Sequence, residues 1–234
     1  MGKNQTLIYR IQTNIKIDNM KNFKVTSKED GKEYWISRHM AVTGIIRVIH
    51  ILPPSNPETP EENPEIKIYY LLSKRGEGCP DHVGKWQCNC GYLDFDETLA
   101  DAVIREIKEE LGLDLGEAMR SGNVMSTGEP KVLNFSLLAI RDLPEHDPRQ
   151  NVTFRYLIDV NYNWIKELTE NGTINGRTEE RGGEKNEIEE IRLVPWIEIE
   201  KDPYTGNFAF NHEDMLRELN SSPENSQNEG TKEE

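Results

Sequence analysis

The sequence has little with which to cross a membrane or build a disulfide scaffold. Its longest apolar stretch, Ile45 to Leu52, is broken by Arg47 and His50, whereas a helical span needs roughly 20 apolar residues in a row. The N-terminus lacks the basic-then-apolar pattern of a secretory signal. Cysteine is scarce: Cys79, Cys88 and Cys90 are the whole complement of 234 residues, an odd count that frames no disulfide network. These absences lead to the expectation of a soluble, cytoplasmic protein with no membrane partner. Met1-Gly2-Lys3-Asn4-Gln5-Thr6 fits the loose myristoylation pattern. So short a pattern recurs by chance, and one acyl chain anchors only marginally.

Positive charge is also short. Lys and Arg number 28 against 42 Asp and Glu, a net charge of −14. That field opposes long nucleic acid, whose phosphates need a basic surface. Hydrophobic residues make up 35%, below the usual share, and three polar stretches absorb the deficit. Pro53 to Glu65 (PPSNPETPEENPE) is rich in proline and glutamate and reads as a solvated loop. Gly172 to Asn186 (GTINGRTEERGGEKN) is rich in glycine and charge. Asn220 to Glu234 has no large apolar residue and is expected to be a disordered acidic tail. Residues 1–39 form an N-terminal extension. Its alternating stretch Leu7 to Ile17 would suit a strand added to a sheet edge or to a partner subunit, which leaves a homodimer open.

Between these stretches the pattern alternates. Met40–Leu52 and Ile66–Leu72 are β-branched runs flanking the first polar loop, and they read as a long-looped hairpin. Trp86–Cys90, Leu133–Ile140, Val152–Val160 and Ile191–Trp196 are further strand candidates. Glu97–Leu111 is the clearest helix, Trp164–Thr169 a short one, and Asn211 opens a last one with Asp214 as capping partner. Mixed strands and helices predict an α/β domain over residues 40–219.

The most informative stretch runs from Gly91 to Leu113 (GYLDFDETLADAVIREIKEELGL). Thr98 followed by Asp101 is a capping box, and Gly112 stands where a left-handed C-terminal residue is wanted. Leu99, Val103, Ile107 and Leu111 recur every four residues as a buried stripe. At about 100° per residue, Glu106, Glu109 and Glu110 share one sector beside that stripe. Like charges at that spacing destabilise a helix, and a divalent cation would offset the repulsion. Oxygen ligands with room left for water and phosphate suit Mg²⁺ or Mn²⁺ better than zinc. A Glu-rich helix alone is usually a solvated face.

The joint spacing of Gly91, Glu97, Arg105-Glu106, Glu109-Glu110, Gly112 and Leu113 resembles the Nudix box without a departure. The chain is therefore identified as similar to the Nudix hydrolases, whose fold is an α/β/α sandwich with a mixed β-sheet. Weaker likenesses extend the match to about residues 30–219. They are Gly31–Val42, the acidic segment Glu187–Trp196, and Asn207–Leu216 at the entry to the last helix. Many members carry Pro-Gly-Gly before the box glutamate, where this chain has Asn89-Cys90-Gly91.

The resemblance implies hydrolysis of the phosphoanhydride in a nucleoside diphosphate linked to another moiety, such as ADP-ribose, a nucleotide sugar or a (d)NTP. By position in the motif, Glu106, Glu109 and Glu110 are the implied metal ligands, with the Gly91 carbonyl as a further contact. Arg105 and Glu97 are the implied orienting pair. The base that activates water is either Glu106 or a glutamate of a later loop, with Glu187 the candidate and Glu189 and Glu190 the alternatives. Pro130, 17 residues after Leu113, lies near the proline spacing associated with ADP-ribose pyrophosphatases. Trp86, Tyr92, Phe95 and Phe154 are candidates to stack on a base, or core residues. Cys79, His82, Cys88 and Cys90 could in principle form a zinc site, but their spacing matches no standard module and ordinary thiols fit better. The competing class is a Nudix-fold sensor that binds a nucleotide metabolite without cleaving it. Such modules commonly lose box carboxylates, and all are present here.

Overall fold

A computed structural model describes residues 23–28, 31–36, 40–53, 64–120, 122–142, 152–175 and 185–221. The Leu7–Ile17 stretch, most of the Gly172–Asn186 loop and the tail beyond Ser221 lie outside the described residues. Strands β1 (Phe23–Thr26) and β2 (Glu33–Ile36) pair antiparallel as a separate hairpin in the N-terminal extension.

The main sheet is built around β3 (Met40–Leu52), a strand dominated by β-branched and aliphatic residues and buried on both faces at its centre. It pairs antiparallel with β4 (Glu65–Arg75) across the first polar loop, as the hairpin pattern predicts. Its other edge runs parallel to β8 (Val152–Asn161), which in turn pairs antiparallel with β7 (Val132–Asp142). The outer edge of β4 takes β9 (Ile188–Pro195), also antiparallel.

The strand expected over Trp86–Cys90 is instead two. β5 (Trp86–Gln87) pairs with β4, and β6 (Asn89–Tyr92) pairs with β3. Strands β3 and β4 pair only from Arg47 onward, so the chain changes ladder in the gap between them. At the changeover Cys88 N donates to His212 Nδ1 at 3.2 Å. The late strand also starts earlier than expected, at Ile188, taking in Glu189 and Glu190.

Helices cover both faces. Helices α1 (Leu99–Leu111), α2 (Leu115–Arg120) and α3 (Tyr162–Glu170) lie on one side. Their Val103, Ile107, Leu111, Leu115 and Ile165 pack with Val42, Ile46, Val48 and Ile158 of the sheet. The short α4 (Trp196–Ile199) and α5 (His212–Ser221) lie on the other. There Ile199, Met215 and Leu216 meet Ile45, Tyr70, Leu72 and Leu157. Neighbouring strand residues thus feed opposite cores, as the period of two requires, and the architecture is an α/β/α sandwich on a mixed sheet. Helix α1 sits close: a Cβ on Gly44 would stand 2.7 Å from Ile107 Cδ1.

Candidate active site

The site is built on α1. Thr98 Oγ1 accepts from Asp101 N at 3.2 Å while Asp101 Oδ2 reaches back to Thr98 N at 3.4 Å, so the capping box closes. Gly112 ends the helix at φ 77°, its amide donating to Lys108 O at 2.9 Å. With Val103, Ile107 and Leu111 fixed in the core, the sector carrying the glutamates faces strand β6.

Two periodicities then meet. Four helix residues advance about 6 Å and two strand residues about 6.7 Å, so glutamates at i and i+4 of α1 can match alternate residues of β6. Glu106 lies against Gly91, where an added Cβ would stand 2.1 Å from its carboxylate. Glu110 accepts from Asn89 Nδ2 at 2.6 Å. Only glycine leaves room for the first contact. Asn89 carries no motif signature, but it lies two residues before Gly91 and therefore shares its strand face.

Arg105 gathers the rest. Its Nε and Nη2 donate to the two carboxylate oxygens of Glu97 at 3.0 and 2.8 Å, a bidentate fork. Its Nη1 reaches Glu106 at 2.7 Å and Glu109 at 3.3 Å, and Nη2 also donates to Tyr92 O at 3.0 Å. Glu97 in turn accepts from Asp94 N at 2.6 Å. This arginine therefore ties the loop after β6 to the helix and to two of its glutamates. Burial works to raise the Glu97 carboxyl, but Arg105 and the Asp94 amide outweigh it and hold it below the usual carboxylate range.

The other carboxylates move the opposite way. Burial pushes Glu106 up to about 7 despite Arg105, with Glu109 and Glu187 adding repulsion. Glu110, 2% exposed, is raised well above the usual range by burial, then by Glu106 and Glu187. Glu187, just before β9, is thus close enough to both to repel them. Glu189 and Glu190 are not: Glu189 pairs with Lys74 at 2.9 Å and Glu190 with Arg192, both at the surface.

Two carboxylates that repel one another, one buried and one largely so, with hard oxygen donors and a glycine beside them, have the chemistry that suits a divalent cation, whose charge would replace a proton. In the side-chain positions of this structure, Arg105 holds Glu106 and Glu109 while Asn89 holds Glu110. Among the described residues, no three His, Cys, Asp or Glu side chains converge in a way that would hold an ion. That applies equally to the cysteine quartet. Cys79 Sγ donates to Glu187 O at 3.2 Å, Cys88 lies in the second core, and His82 is exposed, edge-on to Phe210 at 4.7 Å. Of the candidate stacking residues, Trp86 is buried in that core and Phe154 packs against the first, while Tyr92 is half-buried and Phe95 exposed.

Comparison with known proteins adds the following. A family model described as NUDIX domain matches residues 59–219. The ADP-ribose pyrophosphatase of Methanocaldococcus jannaschii is 30% identical over 140 residues, which cover 58% of this chain. The match spans about three fifths, 61%, of that relative's own length. Among solved structures, a mutT/nudix family protein from Listeria innocua aligns with a TM-score of 0.48 and 21% identity, covering 79% of this chain and 92% of its own. The NUDIX domain of Shewanella oneidensis NrtR, complexed with ADP ribose, aligns with a TM-score of 0.46 and 14% identity, covering 77% and 84%. The family match takes in the whole glutamate-bearing helix and the strand it faces, and this chain belongs to the Nudix family.

Proposed function

We propose that this chain is a Nudix hydrolase that cleaves the phosphoanhydride of a nucleoside diphosphate linked to another moiety, with ADP-ribose the first substrate to test. The carrying observation is the glutamate pair, largely buried Glu106 and buried Glu110, held against Gly91 and Asn89 with both carboxyls raised. Raised carboxyls in a shared locus mark functional sites. ADP-ribose comes first because a relative bears that substrate in its name.

Glu106, Glu109 and Glu110 would hold Mg²⁺ or Mn²⁺, with the Gly91 carbonyl as a further ligand. When bound, the ion supplies charge neutralisation on the diphosphate and lowers the pKa of a coordinated water. Arg105 and Glu97 orient Glu106 and fix the loop after β6. Glu187 accepts the proton of the attacking water as its oxygen bonds to phosphorus. The bridging P–O bond breaks, and the leaving phosphate carries away its electron pair. For ADP-ribose the products are two monophosphates, AMP and ribose phosphate. The complete carboxylate set favours hydrolysis over the sensor reading. Three unpaired thiols suit a reducing, cytoplasmic compartment.

The test is a screen of ADP-ribose, nucleotide sugars, dinucleoside polyphosphates and (d)NTPs, coupled to a phosphatase that frees phosphate from monoester products. Turnover of at least one diphosphate derivative, abolished by chelator and restored by Mg²⁺ or Mn²⁺, is expected. Binding of such compounds without turnover would move the chain to the sensor class.

A further inference from the structure

The turn that follows β4 is stitched to the segment that carries Glu187. Gly76 N donates to Glu187 O at 2.8 Å, Gly78 N to Asn186 O at 2.8 Å, and Cys79 Sγ to Glu187 O at 3.2 Å. Neither glycine position can take a side chain in place. A Cβ at Gly76 would stand 2.2 Å from Asn186 O, and one at Gly78 2.3 Å from Lys185 O. Both obstacles are main-chain atoms, which cannot swing aside as a side-chain tip can.

The turn has its own anchor. Arg75 Nε and Nη2 bind Asp81 O and Oδ1 at 3.0 and 2.8 Å, and Nη1 binds Gln87 Oε1 at 2.6 Å. The next residue, Ile188, enters the ladder opposite Arg75, at a bulge. The main chain is therefore held at Glu187 and at the residue before and after it.

Such holding has a purpose that electrostatics supplies. Glu106 and Glu110 both feel the Glu187 carboxylate as a repulsive neighbour. Three acidic groups drawn to one locus push apart, and a glutamate whose main chain could shift would relax outward. We propose that Gly76, Gly78 and Cys79 are positioning residues that clamp the Glu187 main chain and so hold its carboxylate at the Glu106–Glu110 pair. The inference rests on the reading of Glu187 as the proton acceptor.

The test is a mutational cycle on the full chain, assayed with the fastest substrate of the screen. Gly78→Ala is expected to lower kcat about tenfold or more, as a displacement near 1 Å does, with KM changed less than twofold. On the Glu187→Gln background the same change is expected to cost nothing further. Cys79→Ala should fall in the same sense, and Cys79→Ser, which keeps a donor to Glu187 O, should recover. A Gly78→Ala enzyme at full speed, or one that loses equally on both backgrounds, overturns the clamp. A Glu187→Gln enzyme at full speed instead removes the base assignment, a distinct result. Should Gly78→Ala fail to fold, the two Cys79 variants carry the cycle. Hydrogen exchange on the unaltered protein gives a readout free of activity: slow exchange of the Gly76 and Gly78 amides is expected, and exchange at the rate of open loop amides overturns the clamp.

Discussion

Two short segments of this chain carry three glutamates each, and the fold treats them differently. On α1, Glu106, Glu109 and Glu110 are drawn inward. Glu110 is almost wholly buried, and both it and Glu106 are raised far above the usual carboxylate range. Around the entry to β9, Glu187 lies near enough to repel that pair, but Glu189 and Glu190 end on Lys74 and Arg192 at the surface. The composition is nearly identical, so composition does not decide the outcome. What decides it is what each backbone turns its glutamates toward. The buried stripe of α1 turns Glu106 and Glu110 toward β6, whereas Glu189 and Glu190 meet a lysine and an arginine at the surface. An acidic run becomes a site only where packing forces it to stay desolvated, against a cost that surface pairing would avoid.

The sharpest way to break this comparison is at Glu110. Glu110→Gln keeps the shape and leaves an oxygen to accept from Asn89. Turnover should fall roughly 10³-fold, about 4 kcal/mol of barrier, if the carboxylate binds the cation. The apo protein should unfold at the same temperature or higher, because the cost of burying an ionisable carboxyl beside Glu106 is gone. Calorimetry and steady-state kinetics on one preparation check both. Retained turnover would place Glu110 with Glu189 and Glu190.

Glu187 stands between the two groups. As a general base it should cost roughly 10²-fold in kcat on change to Gln, the lower end of such effects, with little change in apo melting temperature. Cation affinity, read by titration calorimetry with Mn²⁺, should change less than in Glu110→Gln. An equal loss of affinity would make Glu187 a ligand and not a base.

The same contrast separates what is legible in the sequence from what is not. The candidate site on α1 is legible because its residues do local work: Thr98 caps, Gly112 terminates, and the four-residue stripe orients the glutamates. The hairpin of β3 and β4 is legible for the same reason, since a β-branched run reports its own burial. Asn89 is not, because its part is fixed by Glu110 across two elements. The break at Cys88 is not, because it follows from the parting of β3 and β4 and from His212, 124 residues away. The hold on Glu187 comes through Cys79, 108 residues distant. Local chemistry leaves a mark in the sequence, and long-range pairing of unlike elements does not.

A buried basic group on the opposite face of the sheet extends the comparison to the other sign of charge. His212 is enclosed at the start of α5 and accepts from Cys88 N, so its ring is neutral. Burial, with Arg155, Arg75 and His82 nearby, lowers its pKa to about 3. Its folded pKa is depressed below the ordinary value, so no effect is expected above pH 7. As pH falls below about 6.5, the unfolded chain takes up a proton that the folded chain refuses, and stability drops by up to about 1.4 kcal/mol per unit. Between about pH 6.5 and 5 the loss attributable to His212 is roughly 1.5 kcal/mol. Glu106, with its raised pKa, acts in the opposite direction over this range. The difference between wild type and His212→Gln in urea unfolding at each pH cancels that contribution. Parallel pH profiles for the two proteins would show that the ring is not held neutral.

The smallest expected effect is the most direct test of the contrast. Glu189→Gln and Glu190→Gln each remove one partner of an exposed pair, and such pairs contribute from nothing to about 1 kcal/mol. Each variant should keep kcat within about twofold and stability within about 0.5 kcal/mol, and added salt should shrink even that difference by screening the lost pair. The double variant should behave as the sum of the two, since Glu189 leans on Lys74 and Glu190 on Arg192, separate partners. A tenfold loss in kcat from either would mean that β9 supplies a second carboxylate to the site. The surface pairing that keeps Glu189 and Glu190 away from Glu106 would then fail as the explanation.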